Sequence, residues 1–393
     1  MKAIRLGLLP RIIIAIALGI GLGLVVPDGV TRLFLTFNAI FSQFLGFAIP
    51  LIILALVAEA IGSIGHSAGK MLLLTVAIAY GSTVFSGYLA YFTGDAIFPH
   101  LIEPGKVEQL QSAGEALTPY FTVEMPPVMG VMTALVLAFI LGLGIAHLES
   151  KALKHVIVDV KDIISDVIEK VIIPLLPLYI FGIFLEMASS GKVAGVLVVF
   201  IKIIGVIFAL HILLLLLQFT VAGVITKKNP LRLLGNMLPA YFTALGTASS
   251  AATIPVTLAQ AKKSGASDGV ASFVVPLCAT IHLSGSTLKI VSCALALILM
   301  QGGAYDLGLF THFILLLGVT MVAAPGVPGG AIMAALAILQ SILGFTVEEQ
   351  ALMISLYITM DSFGTACNVT GDGAIALVVD KLLGHQVQGS ATA

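Results

Sequence analysis

Charged residues are scarce in this chain. Asp, Glu, Lys and Arg make up 10% of its 393 residues, while 59% are hydrophobic and the mean hydropathy is +1.12. A soluble globular domain is nearer a quarter charged. No water-soluble core of this length could hide so much apolar surface, so the solvent has to be lipid. Cysteine is sparse too: Cys278, Cys293 and Cys367 lie in apolar segments with no CxxC or Cys/His ligand spacing. A disulfide framework and a zinc site are therefore not indicated. A formal net charge of −1 gives no footing for nucleic acid. Enzyme signatures are missing as well. There is no HExxH, and His282, Ser284 and Ser286 crowd onto one short turn rather than forming a Ser-His-acid arrangement.

What the chain does have is apolar runs, at about 7–26, 34–58, 71–92, 127–148, 158–189, 193–224, 267–300 and 347–383. A helix needs roughly 20 apolar residues to cross hydrocarbon. The first run follows Lys2, Arg5 and Arg11 and lacks a small-residue cleavage site, so it reads as a membrane helix and not as a leader. Two further stretches, 230–262 and 307–345, are apolar but broken in the middle by small residues and proline. Lysine and arginine mark cytoplasmic ends. Lys2, Arg5 and Arg11 place the N-terminus inside, and the acidic loop 93–126 suits the outside. Lys227, Lys228 and Arg232 stand at the start of the first broken stretch, and Lys262 and Lys263 at its end. Both of its ends carry the inside signature, and arms of about 15 residues are too short to cross. It reads as a re-entrant hairpin. Asp306 and Glu349 flank the second broken stretch on the outside, and Lys381 and His385 return the C-terminus to the cytoplasm. The expected fold is all-α: eight membrane helices plus two opposed re-entrant hairpins. The charged region 151–170 reads as a solvated cytoplasmic extension of the fifth helix.

Irregular backbone at membrane depth survives where it lines a polar cavity, and paired interrupted helices point to a transporter's binding site. The first tip runs Gly246-Thr247-Ala248-Ser249-Ser250 to Pro255, and the second Ala324-Pro325-Gly326-Val327-Pro328-Gly329-Gly330. Half-helices meeting at such tips aim their positive N-terminal ends inward and attract carboxylates. Asp361, Thr365, Asn368 and Asp372 follow at intervals that put them on one side of the last helix. Charge inside a span marks a functional site by default. The seventh span is interrupted at Thr280–Thr287, which suggests an unwound turn whose carbonyls can ligate a cation, and Lys289 follows it. Lys289 is too far from either end of its span to snorkel easily, so it reads as paired and functional. A channel would need rings of identical groups, whereas these polar groups form one asymmetric pocket per chain.

These parts, in this order, resemble the dicarboxylate/amino acid:cation symporter family, the glutamate transporter homologues. The resemblance spans essentially the whole chain. It rests on Ser249 to Pro255 at the first tip, Gly326 to Gly330 at the second, and the final-helix pattern from Asp361 to Asp372. It implies a homotrimer in lipid, in a bacterial or archaeal inner membrane, each protomer working by an elevator motion. Scaffold helices one and two would occupy 1–70, transport-domain helix three 71–92, an external loop with scaffold helices four and five 93–192, and the transport-domain core 193–393. The resemblance further implies that Ser249, Ser250, Ser286 and Asn368 cradle the substrate carboxylate. Gly326 and Val327 would close the lid, Thr365 would line the pocket and Asp361 would receive an ammonium. Asp372 and Asn368 would form one sodium site, and Thr280 would contribute to another. No cofactor is implied beyond the coupling ion.

Three departures from the family pattern matter. Its seventh-span signature N-M-D-G-T reads His282-Leu283-Ser284-Gly285-Ser286 here, so the aspartate of a deep sodium site is serine. Gly364 stands where members with acidic substrates carry arginine, and Ala248 where an arginine sometimes precedes the first tip's serines. An amino acid with a neutral side chain is therefore the expected substrate. Asp361 would repel a second carboxylate, while Lys289 keeps an acidic amino acid or a C4-dicarboxylate in view. Counting Asp361, Asp372 and Lys289 leaves about one negative charge in a low-dielectric site. His282 could supply the compensating proton, so coupling to fewer sodium ions than is usual in the family, or to protons, is expected. Ser284 and Lys289 are the other coupling candidates.

Overall fold

The computed structural model describes residues 8–64, 70–102, 117–148, 151–191, 193–324 and 329–390. Among these the chain is helical and contains no strand. Helices α1 (Leu8–Gly23), α2 (Asp28–Ile64) and α3 (Lys70–Leu101) are followed by α4 (Val131–Leu148) and α5 (Lys151–Val167). A π-helical turn at Ile168–Ile172 joins α5 to α6 (Ile173–Ser189), and α7 (Val193–Thr226) comes next. Then come α8 (Pro230–Thr247), α9 (Ser250–Lys263), α10 (Asp268–Ile281) and α11 (Ser284–Met300). The chain continues through α12 (Leu307–Val322), α13 (Gly330–Leu343), α14 (Val347–Thr359) and α15 (Asp361–Ser390).

Five stretches are long and apolar enough to cross a bilayer: Asp28–Glu59, Lys70–Leu101, Ala152–Ser189, Leu197–Thr226 and Asp268–Met300. Pro10–Gly23, Val136–Ile145, Leu307–Val322 and Gly330–Leu343 are shorter apolar helices. Large apolar side chains face outward, with Ile201 71% and Val224 73% exposed. An apolar surface of this extent calls for lipid around it. Asp268–Met300 is different. Of its apolar window, 94% is buried in protein, against 33% for Leu197–Thr226 and 28% for Lys70–Leu101. The span with the polar interruption is wrapped by neighbouring helices, the setting in which broken backbone and charge at membrane depth can persist.

The packing falls into two groups. One joins α1 to α6 and α2 to α4, α5 and α6; the other wraps α7, α8, α9, α10 and α11 around α15. Helix α3 leaves its neighbours in sequence to pack on α11 and α12. Local chemistry starts each broken pair. Asn229 caps α8 by accepting from the Arg232 N–H at 3.1 Å, with Pro230 next, and Asp306 caps α12 through the Leu309 N–H at 2.7 Å. Helices α8 and α9 fold back on each other: Lys228 Nζ donates to the Ser264 carbonyl at 2.8 Å, and Asn236 Nδ2 to Ser264 Oγ at 3.3 Å. Ala248, left-handed at φ 49°, makes the turn between them. Helix α14 opens with a capping box between Thr346 and Glu349. Thr346→Ala should lower stability by about 1 kcal/mol, read as a reduced melting temperature in detergent.

The structure corrects three boundaries. Helix α3 runs to Leu101, beyond the expected end at 92, because Asp95 is satisfied in place by the Tyr305 hydroxyl at 2.9 Å. In the seventh span only His282 and Leu283 leave the helix, not the whole of Thr280–Thr287. The run 347–383 is not one helix but two, separated at Met360. The charged stretch expected to be a solvated extension forms α5, continuous with α6 and carrying exposed ion pairs such as Lys170–Asp166 at 2.6 Å.

Candidate functional site

Two helix breaks face each other in the buried centre of the second group. At the first, His282 and Leu283 adopt extended or irregular backbone and α11 restarts at Ser284. At the second, Met360 ends α14 by bonding back to the Tyr357 carbonyl at 3.1 Å, and α15 restarts at Asp361. Asn368 ties the breaks together. Its Oδ1 accepts from the Gly285 N–H at 2.8 Å and the Ser286 N–H at 3.3 Å, so a side chain of α15 caps the N-terminus of α11. Its Nδ2 donates to Ser286 Oγ at 3.1 Å, and the Tyr357 hydroxyl donates to the same oxygen at 2.9 Å. With both lone pairs of Ser286 taken, its own O–H remains to donate.

A cavity opens beside this knot. Its polar lining is Ser250, Thr280, Ser286, Tyr357, Asp361, Thr365 and Asn368, and the rest is closed by Leu283, Ala279 and alanines of the two broken pairs. Ser250, Asp361 and Ser286 stand in the first turns of α9, α15 and α11, and Ala331 in that of α13. Four positive helix ends thus converge on one small volume.

Asp361 carries the negative charge of this cavity, and both of its oxygens are engaged. Oδ2 accepts from the Gly329 N–H at 2.8 Å, at the foot of the second tip. Oδ1 lies 3.5 Å from the ammonium of Lys289, a side chain with no solvent exposure. The same ammonium donates to the Met360 carbonyl at 3.2 Å and sits 3.7 Å above the Tyr357 ring. It therefore caps the negative end of α14 and makes a cation–π contact as well. Gly364 is packed beneath this side chain: a Cβ there would stand 2.5 Å from Lys289 Nζ.

A second polar cluster lies further along α15. His282 Nδ1 and Asp372 Oδ1 are 2.8 Å apart, both fully buried, and the other ring nitrogen is 3.0 Å from Ser82 Oγ. Gln218 Nε2 donates to Ser82 Oγ at 3.0 Å and to Ser284 Oγ at 3.1 Å. Asp372 Oδ2 and Gln218 Oε1 are buried and, among the described residues, have no hydrogen-bond partner.

The residues singled out in the sequence thus divide. Ser250, Ser286, Thr280, Asp361, Thr365 and Asn368 meet at the cavity, and Gly364 lies behind it under Lys289. Ser249 does not line it, because its hydroxyl caps α9 by accepting from the Ala252 N–H at 3.2 Å. His282, Ser284 and Asp372 belong to the second cluster. Gly326 and Val327 lie outside the described residues. Sequence reasoning overlooked Tyr357, Gln218 and Ser82, and it placed Gly329 in the second tip without its bond to Asp361. Two of these left a signal: Gln218 is a lone amide in the run Leu213–Phe219, and Tyr357 stands four residues before Asp361.

Residues 8–382 match the profile of the sodium:dicarboxylate symporter family. The chain belongs to that family. Among its relatives, the serine/threonine transporter SstT of Acinetobacter baumannii is 28% identical over 391 residues, covering 96% of this chain and 97% of SstT. Excitatory amino acid transporter 1 of Ambystoma tigrinum is 34% identical over 216 residues, which are 53% of this chain and 38% of that protein. The human protein of the same name is 30% identical over 212 residues. This member of the sodium:dicarboxylate symporter family is a multi-pass membrane transporter and not an enzyme, as its sequence led one to expect.

Proposed function

We propose that the protein is a secondary active symporter for a small neutral amino acid. The observation that carries this reading is the cavity at the two breaks, which has opposite electrical ends. Helix N-termini and the Ser286 hydroxyl suit a carboxylate, while Asp361 suits an ammonium a short distance away. The remaining wall, Thr280 and Thr365 among alanines and Leu283, carries no charge of its own. The name of the relative SstT points the same way, to serine and threonine.

In this reading the two broken pairs are re-entrant hairpins entering from opposite faces. Helix α3 with α7–α15 moves as a transport domain past a scaffold of α1, α2 and α4–α6, eight spans in all, in a homotrimer. Both termini face the cytoplasm of a bacterial or archaeal cell. The coupling cation is sodium, a proton or both. Asp372 has one oxygen bound to His282 and, among the described residues, one without a partner, so this cluster offers one carboxylate oxygen to a further cation. Both acceptor directions of Asn368 Oδ1 are used by α11, which leaves Asp372 as the ligand of choice.

Counterflow in proteoliposomes tests the reading. Labelled L-serine should exchange against internal L-serine or L-threonine and resist competition by succinate. Absence of exchange points to a channel, and preferential exchange of succinate to a dicarboxylate carrier. For the cation, coupling to a proton through His282 predicts that uptake under a proton gradient persists with sodium rigorously absent, and that His282→Asn makes it sodium-dependent. No uptake without sodium, combined with wild-type behaviour of His282→Asn, would rule out the proton. Three sodium ions per substrate would rule out the charge count.

A further inference from the structure

Lys289 is an odd residue to find here. Its side chain is completely buried in the protein-wrapped span, and it is absent from the cavity wall, which Asp361 lines from the other side. The ammonium approaches the carboxylate from behind, at 3.5 Å, and is held there by two other groups: the Met360 carbonyl at 3.2 Å and the Tyr357 ring at 3.7 Å. Three contacts of a fixed cation leave it little freedom to swing into the cavity. The space it occupies belongs to residue 364. A Cβ there would collide with the end of the lysine, 2.5 Å from Nζ and 3.3 Å from Cδ. Any residue larger than glycine and the present position of Lys289 exclude each other.

We propose that Lys289 is the specificity-determining residue of this site: a fixed counter-ion behind Asp361 that restricts the cavity to substrates without net charge. The inference rests on the amino-acid reading above and deepens it. The argument is a charge balance in a space shielded from water, where uncompensated charge is heavily penalised. The Asp361–Lys289 pair sums to zero, and a zwitterion adds zero. An acidic amino acid would bring one negative charge for which the ammonium, already committed to three partners, has no reach. A cationic one would bring a positive charge that Asp361 no longer needs. Gly364 is the other half of the device, since only glycine leaves the lysine its place.

Removing the ammonium should therefore open the site to one extra positive charge. The test compares counterflow of L-homoserine and L-2,4-diaminobutyrate at neutral pH, ligands of one length that differ in a terminal hydroxyl or ammonium. Wild-type protein is expected to favour homoserine at least tenfold, and Lys289→Met to invert that preference. Gly364→Ala, which pushes the ammonium off Asp361, should shift the ratio in the same direction. If Lys289→Met keeps the wild-type ratio, or loses both ligands equally, the residue is structural and the proposal is overturned while the amino-acid reading stands. Should Lys289→Met fail to fold, Gly364→Ala decides, and an unchanged ratio overturns the proposal. Wild-type protein that exchanges succinate and neither amino acid would instead sink the underlying reading, and the proposal with it.

Discussion

Asp361→Asn is expected to lower amino-acid uptake at least about a hundredfold and to reduce the melting temperature in detergent. The carboxylate is one half of a buried ion pair whose lysine has no solvent exposure. Removing one partner of such a pair costs about 3–5 kcal/mol, because the other charge is left buried and uncompensated. A hundredfold loss corresponds to about 2.7 kcal/mol, just under the lower end of that range, so a hundredfold is the least to expect. Asparagine keeps an oxygen for the Gly329 N–H, so the foot of the second tip stays anchored and the deficit traces to charge. The double variant Asp361→Asn with Lys289→Met removes both charges. It should regain much of the stability and none of the uptake. Strong binding of a dicarboxylate lacking nitrogen to Asp361→Asn would show that the carboxylate does not serve an ammonium.

Gly285→Ala should be nearly as damaging, for a steric reason. A Cβ at 285 would stand 2.7 Å from Cys367 Cβ, 2.8 Å from the Gly364 carbonyl oxygen and 3.2 Å from Asn368 Oδ1. The two closest, a Cβ and a backbone oxygen, cannot swing aside, so α11 and α15 have to separate. Overpacking of this kind costs roughly 1–3 kcal/mol. The separation also stretches the 2.8 Å bond by which Asn368 holds the break and with it the position of Ser286. Initial uptake should fall more than tenfold, with a lower melting temperature and an unchanged ranking of substrates. A variant with wild-type uptake and melting would mean that the two helices do not need this contact.

Much of the site was legible in the residues themselves. Asp361, Thr365, Asn368 and Asp372 announce themselves as polar groups at helical spacing in an apolar run, because charge in a lipid-spanning segment has no cheap structural explanation. His282, Ser284 and Ser286 likewise mark an interruption that the structure places at two residues. Tyr357 was harder to see, since a tyrosine in an apolar segment is ordinarily read as packing. Its partners, Ser286 and Lys289, come from a helix some seventy residues away in the chain.

The sequence by itself determined the solvent, the helical class and the family, because hydropathy, helical period and short motifs are local properties that survive without coordinates. It also determined which polar residues had to be explained. Only the tertiary structure decided how those residues pair. The break at Met360 has neither glycine nor proline to announce it, and the Met360 carbonyl that ends it is met by a lysine from α11. Gly364 reads in sequence as a missing arginine. In three dimensions it is the space that Lys289 fills, and a charge delivered from a different helix stands behind the same aspartate. Pairing of this kind depends on distance through space and not along the chain, and no local pattern encodes it.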